Sequence, residues 1–170
     1  MKTTLHNKSG YTLTEVMIAS ALASVVLAMG IMVYSSSVRT WRGFELRSAA
    51  DRTLNMAMSQ IVYGVDGHRG LRAADSNMGK FSVTSNNNGW TIDYEYESGD
   101  IPVAQKCSFA WKKTTREIIF TPGDKVIATD VSDSKVTRDG LSIKVEATIT
   151  KNKNKIKAVR SATTLVFLRN

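Results

Sequence analysis

The chain has 170 residues, 42% of them hydrophobic and 22% charged, which is the make-up of one folded domain with appendages. Its formal charge of +8 falls to +6 if Lys2 and Lys8 leave with a ten-residue leader, which is mild for a dedicated nucleic-acid binder and bears on association rather than on fold. A single cysteine, Cys107, excludes an internal disulfide and leaves the redox compartment unread.

The first element is the stretch "KSGYTLTEVMIASALASVVLAMGIMVY", residues 8–34, and the uncharged run continues from Val16 to Val38. As a helix these 23 residues reach about 35 Å, enough for a hydrocarbon core of about 30 Å. A cleaved secretory signal shares the basic start, but its apolar region runs only about 7 to 15 residues. A buried core helix of this length and uniformity does not fit. A plain signal anchor remains, and so does a processed membrane helix that later joins a polymer. Glu15 bears on that choice. "TLTE" matches a capping box with Thr12 as N-cap and Glu15 at N3, and an acid suits the positive helix start. That explanation needs no Gly10. A second one uses both residues. A carboxylate drawn toward lipid without a partner costs a few kcal/mol. A cut after Gly10 creates an α-amino group on Tyr11, which can meet Glu15 of a neighbouring helix. A glycine ahead of the cut suits a protease that needs close backbone approach.

The residues "GYTLTEV" followed by an uncharged helix resemble the N-terminus of type IV pilins and type II secretion pseudopilins. Four features coincide: a short basic leader, a glycine, an acid at fixed offset and a long apolar helix. The resemblance implies that a membrane prepilin peptidase cuts between Gly10 and Tyr11 and N-methylates Tyr11. It implies that Glu15, at the fifth mature position, serves subunit recruitment and assembly. Tyr11 stands where the family usually has Phe, Thr14 replaces a bulky apolar residue, and Ser9 separates Gly10 from the basic Lys8. The resemblance covers about the first 60 residues. Arg39, Arg42, Arg47 and Arg52 follow the span, so the positive-inside count favours a cytoplasmic C-terminal side. The resemblance implies the opposite, with the leader inside and the head outside the cytoplasm. That orientation is adopted here because leader processing is cytoplasmic-face chemistry.

After Val38 the pattern turns amphipathic. Leu46, Ala50, Leu54, Ala57 and Ile61 make one helical stripe, so the helix is expected to run on and bury one side against a soluble domain. Continuous from Tyr11 to Tyr63, it measures about 80 Å. Gly30 and Gly43 are places where it can loosen, or where a neighbouring helix packs closely. Trp41 sits where an aromatic-belt residue would. "YGVDGHRG" stops the helix through Gly64, Gly67 and Gly70.

The remainder reads as β. "FSVT" and "WTIDYEYE" form a hairpin around "SNNNG", with Asn88-Gly89 supplying positive φ. Trp90, Ile92, Tyr94 and Tyr96 alternate as a core face. "CSFAW", "EIIF" and "KVIATD" follow as short strands, and Cys107 shares a face with Phe109 and Trp111 as a buried small hydrophobe. "LSIKVEATIT" and "IKAVRSATTLVFLRN" form the longest hairpin, with the basic tip "KNKNK". The predicted fold is α+β: a long hydrophobic then amphipathic N-terminal helix packed on a C-terminal antiparallel β-sheet head, as in pilins. Its parts are a basic leader 1–10, a transmembrane or filament-core helix 11–38, an amphipathic helix 39–63 and the β head 64–170.

No catalytic set emerges, so neither an enzyme nor a cofactor is expected. Past the leader, His68 and Cys107 are one histidine and one cysteine, too few for a multi-histidine metal cluster or the usual His-paired triad. No phosphate-binding loop is present. Asp130, Asp133 and Asp139 miss the EF-hand spacing and read as turn and cap residues. Lys151, Lys153 and Lys155 form a candidate anion contact, or else ordinary edge protection. The stretches "RTLNMAMSQIVYG" and "TTLVFLRN" resemble minor members of the family. The sequence thus reads as a structural subunit of a type IV pilus or type II secretion pseudopilus. It is made as a single-pass prepilin of the cytoplasmic membrane and drawn into a filament in the periplasm or at the cell surface. Implied partners are other pilin or pseudopilin subunits, the prepilin peptidase, an inner-membrane assembly platform and membrane lipid. Two alternatives stand beside it. One is a pilin-like DNA-uptake receptor whose lysine tip contacts phosphate. The other is an unprocessed single-span anchor carrying a β domain.

Overall fold

The computed structural model describes residues 11–74, 81–98 and 101–169. The leader 1–10, with Gly10, lies outside the described residues. The chain forms two compact units that divide between Arg42 and Gly43. One helix, α1, spans Leu13–Tyr63 and contributes to both.

In the first unit no residue from Tyr11 to Ser37 is buried, although this is the most apolar stretch of the chain. The helix is long and apolar enough to cross a membrane. Four of its serine hydroxyls are satisfied locally. Ser20 donates to the Met17 carbonyl at 2.9 Å, Ser24 to Ala21 at 2.7 Å, Ser35 to Met32 at 2.9 Å and Ser37 to Val33 at 2.9 Å. A hydroxyl that bonds back to its own helix no longer needs water, so these serines do not bar the helix from lipid. A methyl group added at Gly30 meets nothing within 4 Å, so packing inside the chain does not require that glycine.

Among the described residues, the second unit holds the end of α1 and ten strands. They are β1 (Gly64–Val65), β2 (His68–Arg69), β3 (Ser82–Asn86), β4 (Gly89–Ser98), β5 (Ile101–Lys112), β6 (Glu117–Thr121), β7 (Lys125–Ala128), β8 (Val131–Asp139), β9 (Ser142–Lys153) and β10 (Ile156–Phe167). A 3-10 turn, Leu71–Ala73, follows β2. The strands form three antiparallel sheets: β1-β2, β3-β4-β5-β6-β7 and β10-β9-β8. The head is therefore α+β, with its sheet strands following the helix as the sequence pattern predicts.

Three local features differ from the expectation. The head holds two major sheets rather than one, because "DVSDSKVTRDG" is not a turn region. It supplies β8, paired with β9 from Val131↔Ile149 to Asp139↔Ser142. This edge strand buries only Val131 and Ser134, and a register shift between Val131 and Asp133 breaks its alternation, so it carries no period-2 signal. "YGVDGHRG" is not simply a loop. Asp66 and Gly67, at φ 49° and 83°, close the two-residue turn of the β1–β2 hairpin. In the "SNNNG" turn only Gly89, at φ 145°, is positive, while the Asn88 N–H bonds the Asn86 side chain at 2.9 Å. Gly89 is required for a second reason: a Cβ there would lie 1.8 Å from the Trp111 carbonyl oxygen.

The core is one cluster. The helix supplies Ala50, Leu54, Ala57, Met58 and Ile61, with Leu46 half-buried at the end of the stripe. Trp90, Ile92, Tyr94 and Tyr96 of β4 all face inward, as their alternation predicts. They join Cys107, Phe109 and Trp111 of β5, Ile118 and Phe120 of β6, and Ile143, Val145, Ala147 and Ile149 of β9. Tyr94 stacks on Phe109 at 5.8 Å and Phe109 meets Phe120 at 5.0 Å. The sheets are tied by a buried relay: Trp90 Nε1 donates to Ser134 Oγ at 3.0 Å, which donates to the Glu146 carbonyl at 2.7 Å. Such a relay satisfies polar atoms that would otherwise be costly inside a core.

Candidate functional site

The start of α1 is built by Thr12. Its carbonyl accepts the first helical bond from Val16 N–H at 3.2 Å, which makes Thr12 the N-cap. Glu15 then reaches back. Its Oε2 accepts from the Thr12 N–H at 2.9 Å and from Thr12 Oγ1 at 2.9 Å. In return, the Glu15 N–H donates to Thr12 Oγ1 at 3.4 Å. This is a complete reciprocal capping box. Both Thr12 donors fall on one carboxylate oxygen. Among the described residues, Oε1 of Glu15 has no recorded partner, and the whole first turn is exposed. Tyr11 directly precedes the cap and is 87% exposed. Tyr11 and Glu15 are thus placed within one turn, on an open helix end, while Gly10 lies outside the described residues.

The lysines are placed differently from one another. Lys151 is half-buried and its Nζ donates to Thr53 Oγ1 of the helix at 3.4 Å. Lys153 and Lys155 are exposed at the hairpin end. Asp133 and Asp139 lie six residues apart on β8, about 20 Å along a strand, and Asp130 precedes it. They do not converge.

The structure also joins two residues that sequence spacing kept apart. His68 Nδ1 lies 3.9 Å from Cys107 Sγ and 3.4 Å from the Tyr96 hydroxyl, which also donates to Gln105 Oε1 at 3.2 Å. The His68 ring packs against Phe120 at 5.7 Å. Residues 39 positions apart meet only because β2 folds over the five-stranded sheet, and no local signal could have shown it. Burial pushes the Cys107 thiol up from its ordinary value, although a bond with Tyr94 pulls it down. A thiol held protonated is a poor nucleophile. The pair therefore works as a packed polar cluster under β2. Tyr94 adds to it by donating to the Arg69 carbonyl at 2.7 Å.

An apolar helix long enough to cross a membrane, opened by a self-capping acid, thus precedes an α+β head. Residues 5–31 match the family model described as the prokaryotic N-terminal methylation motif, and the chain thus carries the signature of type IV pilins and pseudopilins. Comparison with curated proteins and with solved structures finds no match. The motif together with the apolar helix fits a prepilin-type membrane subunit; the family that bears this motif is structural rather than catalytic.

Proposed function

We propose that this protein is a minor structural subunit of a type IV pilus or a type II secretion pseudopilus. It is inserted as a prepilin with the leader inside and the head outside the cytoplasm. A prepilin peptidase cuts between Gly10 and Tyr11 and methylates the new amine. An inner-membrane assembly platform then draws the subunit into a filament whose core is residues 16–38. Other pilin or pseudopilin subunits are its direct neighbours. Glu15 of one subunit meets the Tyr11 ammonium of the next.

The observation that carries this reading is the geometry at Glu15. One carboxylate oxygen closes the protein's own helix, and the residue stands exposed one turn from the proposed new N-terminus. The carboxylate can cap and pair at the same time. The matched motif supplies the chemistry upstream of it.

The test is the mass and N-terminal sequence of membrane-derived protein from cells with an active prepilin peptidase. The expected chain begins with N-methylated Tyr11. A chain that still begins at Met1 or Lys2 sinks the proposal and leaves an unprocessed anchor.

A further inference from the structure

Among the described residues, β10 ends the three-stranded sheet, and it pairs with β9 along its whole length. Two bonds fix which of its backbone groups are left over. The Leu168 N–H donates to the Leu141 carbonyl, on the β9 side, at 2.8 Å. The Arg169 N–H donates to the Ala74 carbonyl, away from β9, at 3.1 Å. Along an antiparallel ladder the direction of bonding alternates from one residue to the next. The even-numbered residues of β10 therefore bond β9, and every second residue from Lys157 to Phe167 turns its N–H and C=O to the free side. The side chains of Val159, Ser161, Thr163, Leu165 and Phe167 are exposed in the same alternation.

Native sheets blunt such edges by shortness, charge, proline or a bulge. The other edges of the head follow that rule. β3 and β7 have only five and four residues. β8 carries Asp133, Lys135, Arg138 and Asp139 and a register shift. β10 is twelve residues long and is guarded only at its start, by Lys157 and the lysine turn before it. From Ser161 to Leu168 it has no charge, proline or glycine, and its register with β9 never shifts. Leu165 and Phe167 are 55% and 68% exposed there. No acidic residue occurs from Ala147 to the end of the chain, so whatever lies along this edge meets cations alone.

We propose that the free side of β10 receives an extended, acidic segment of another protein as a fourth, antiparallel strand. The unpaired backbone groups supply affinity, and the alternate exposed side chains supply selectivity. Apolar residues of the segment cover Leu165 and Phe167, and its acids lie toward Lys157, Lys155 and Lys153. Charge decides against a second copy, because its β10 brings the same cations and no acid. Every residue involved belongs to the second unit, so the inference stands apart from the membrane-subunit reading.

The test uses the full chain in detergent micelles and a synthetic peptide of about ten residues. In the peptide, valine alternates with threonine in the first half and with glutamate in the second. Amide hydrogen exchange is followed residue by residue. Saturating peptide is expected to slow the Thr163 and Leu165 amides at least about tenfold and to leave Thr164 and Val166, already bonded to β9, unchanged. A fully N-methylated peptide and one with lysine for glutamate should do neither. Lys157→Glu should shift the preference toward the lysine peptide. Thr163→Pro removes a free-side N–H without touching the β9 ladder and should abolish the slowing; the N-methylated peptide makes the same test on the unaltered chain. The inference is overturned if the glutamate peptide slows nothing, or if the N-methylated or lysine peptide slows exchange equally. Slow exchange at Thr163 and Leu165 before peptide is added also overturns it. If that slowing grows with protein concentration, a second copy is the occupant; if it does not, the chain covers its own edge.

Discussion

At Glu15 two roles share one side chain. Oε2 holds both Thr12 donors and closes the helix, so an acid here is explained by capping alone. Pairing with an ammonium asks for the negative charge as well. Gln keeps the cap geometry and drops the charge, and it therefore separates the two. Glu15→Gln is expected to insert and be cut normally, yet enter filaments at least about tenfold less, since an unneutralised ammonium near lipid costs more than the roughly 1.4 kcal/mol that a factor of ten represents. Wild-type incorporation of Glu15→Gln in sheared-filament fractions would reduce Glu15 to a cap. Cys107 makes a different prediction. Burial raises its thiol above the ordinary value of 9.0, and it raises the neighbouring Tyr94 phenol as well, with the Cys107 charge adding to that. Both groups bind their protons more tightly in the fold than in the unfolded chain. Their stabilisation is complete below the unfolded values and is lost as pH rises past about 9 for Cys107 and past about 10 for Tyr94. The urea midpoint is expected to fall above about pH 9, with the fall in Cys107→Ser starting later, near about pH 10. A flat profile would mean that neither group is held protonated by the fold.

At the scale of elements, the helix holds the head through a narrow stripe, and the residues along it differ in what they contribute. Leu54 is 2% exposed and sits within the core cluster. Leu54→Ala should cost about 2–5 kcal/mol in urea unfolding, because the close-packed sheet face cannot collapse into the space. Asp51 lies on the same helix and bridges Arg160, with both side chains partly exposed. Asp51→Ala should cost no more than about 1 kcal/mol. If the two costs were similar, the helix would be held by charge rather than by burial. The strands follow the same logic. β9 alternates strictly and buries four residues in a row of alternate positions, while β8 beside it is polar and pairs through its backbone.

At the scale of the whole molecule, the two units answer to different solvents. The head buries its apolar residues among themselves, whereas residues 16–37 bury none within the chain. Apolar surface of that extent is stable only when lipid or neighbouring subunits cover it. Val26 lies near the middle of the span and is 68% exposed. Val26→Lys should cost about 2.5–3.5 kcal/mol on insertion, and the carbonate-resistant fraction should drop accordingly. The head's unfolding midpoint should not move, because Val26 makes no part of its core. A span that tolerates the lysine with no change in membrane fraction would contradict its role as an anchor.

The sequence by itself determined the uncharged helix, the capping box, the amphipathic stripe and the alternating strands. Each of these depends on neighbours within about four residues along the chain, so period and spacing carry it. Gly10, Tyr11 and Glu15 are proposed as processing and assembly positions from the same contiguous stretch, which the matched motif covers. The tertiary structure alone decided the rest. β8 became a strand because β9 offered it a partner nine positions along the chain at Val136↔Val145. His68 met Cys107 because β2 closes over β5, and Lys151 parted from Lys153 and Lys155 because the helix stands beside one and not the others. Contacts between segments far apart in sequence exist only once the chain has closed those loops, and no local pattern records them.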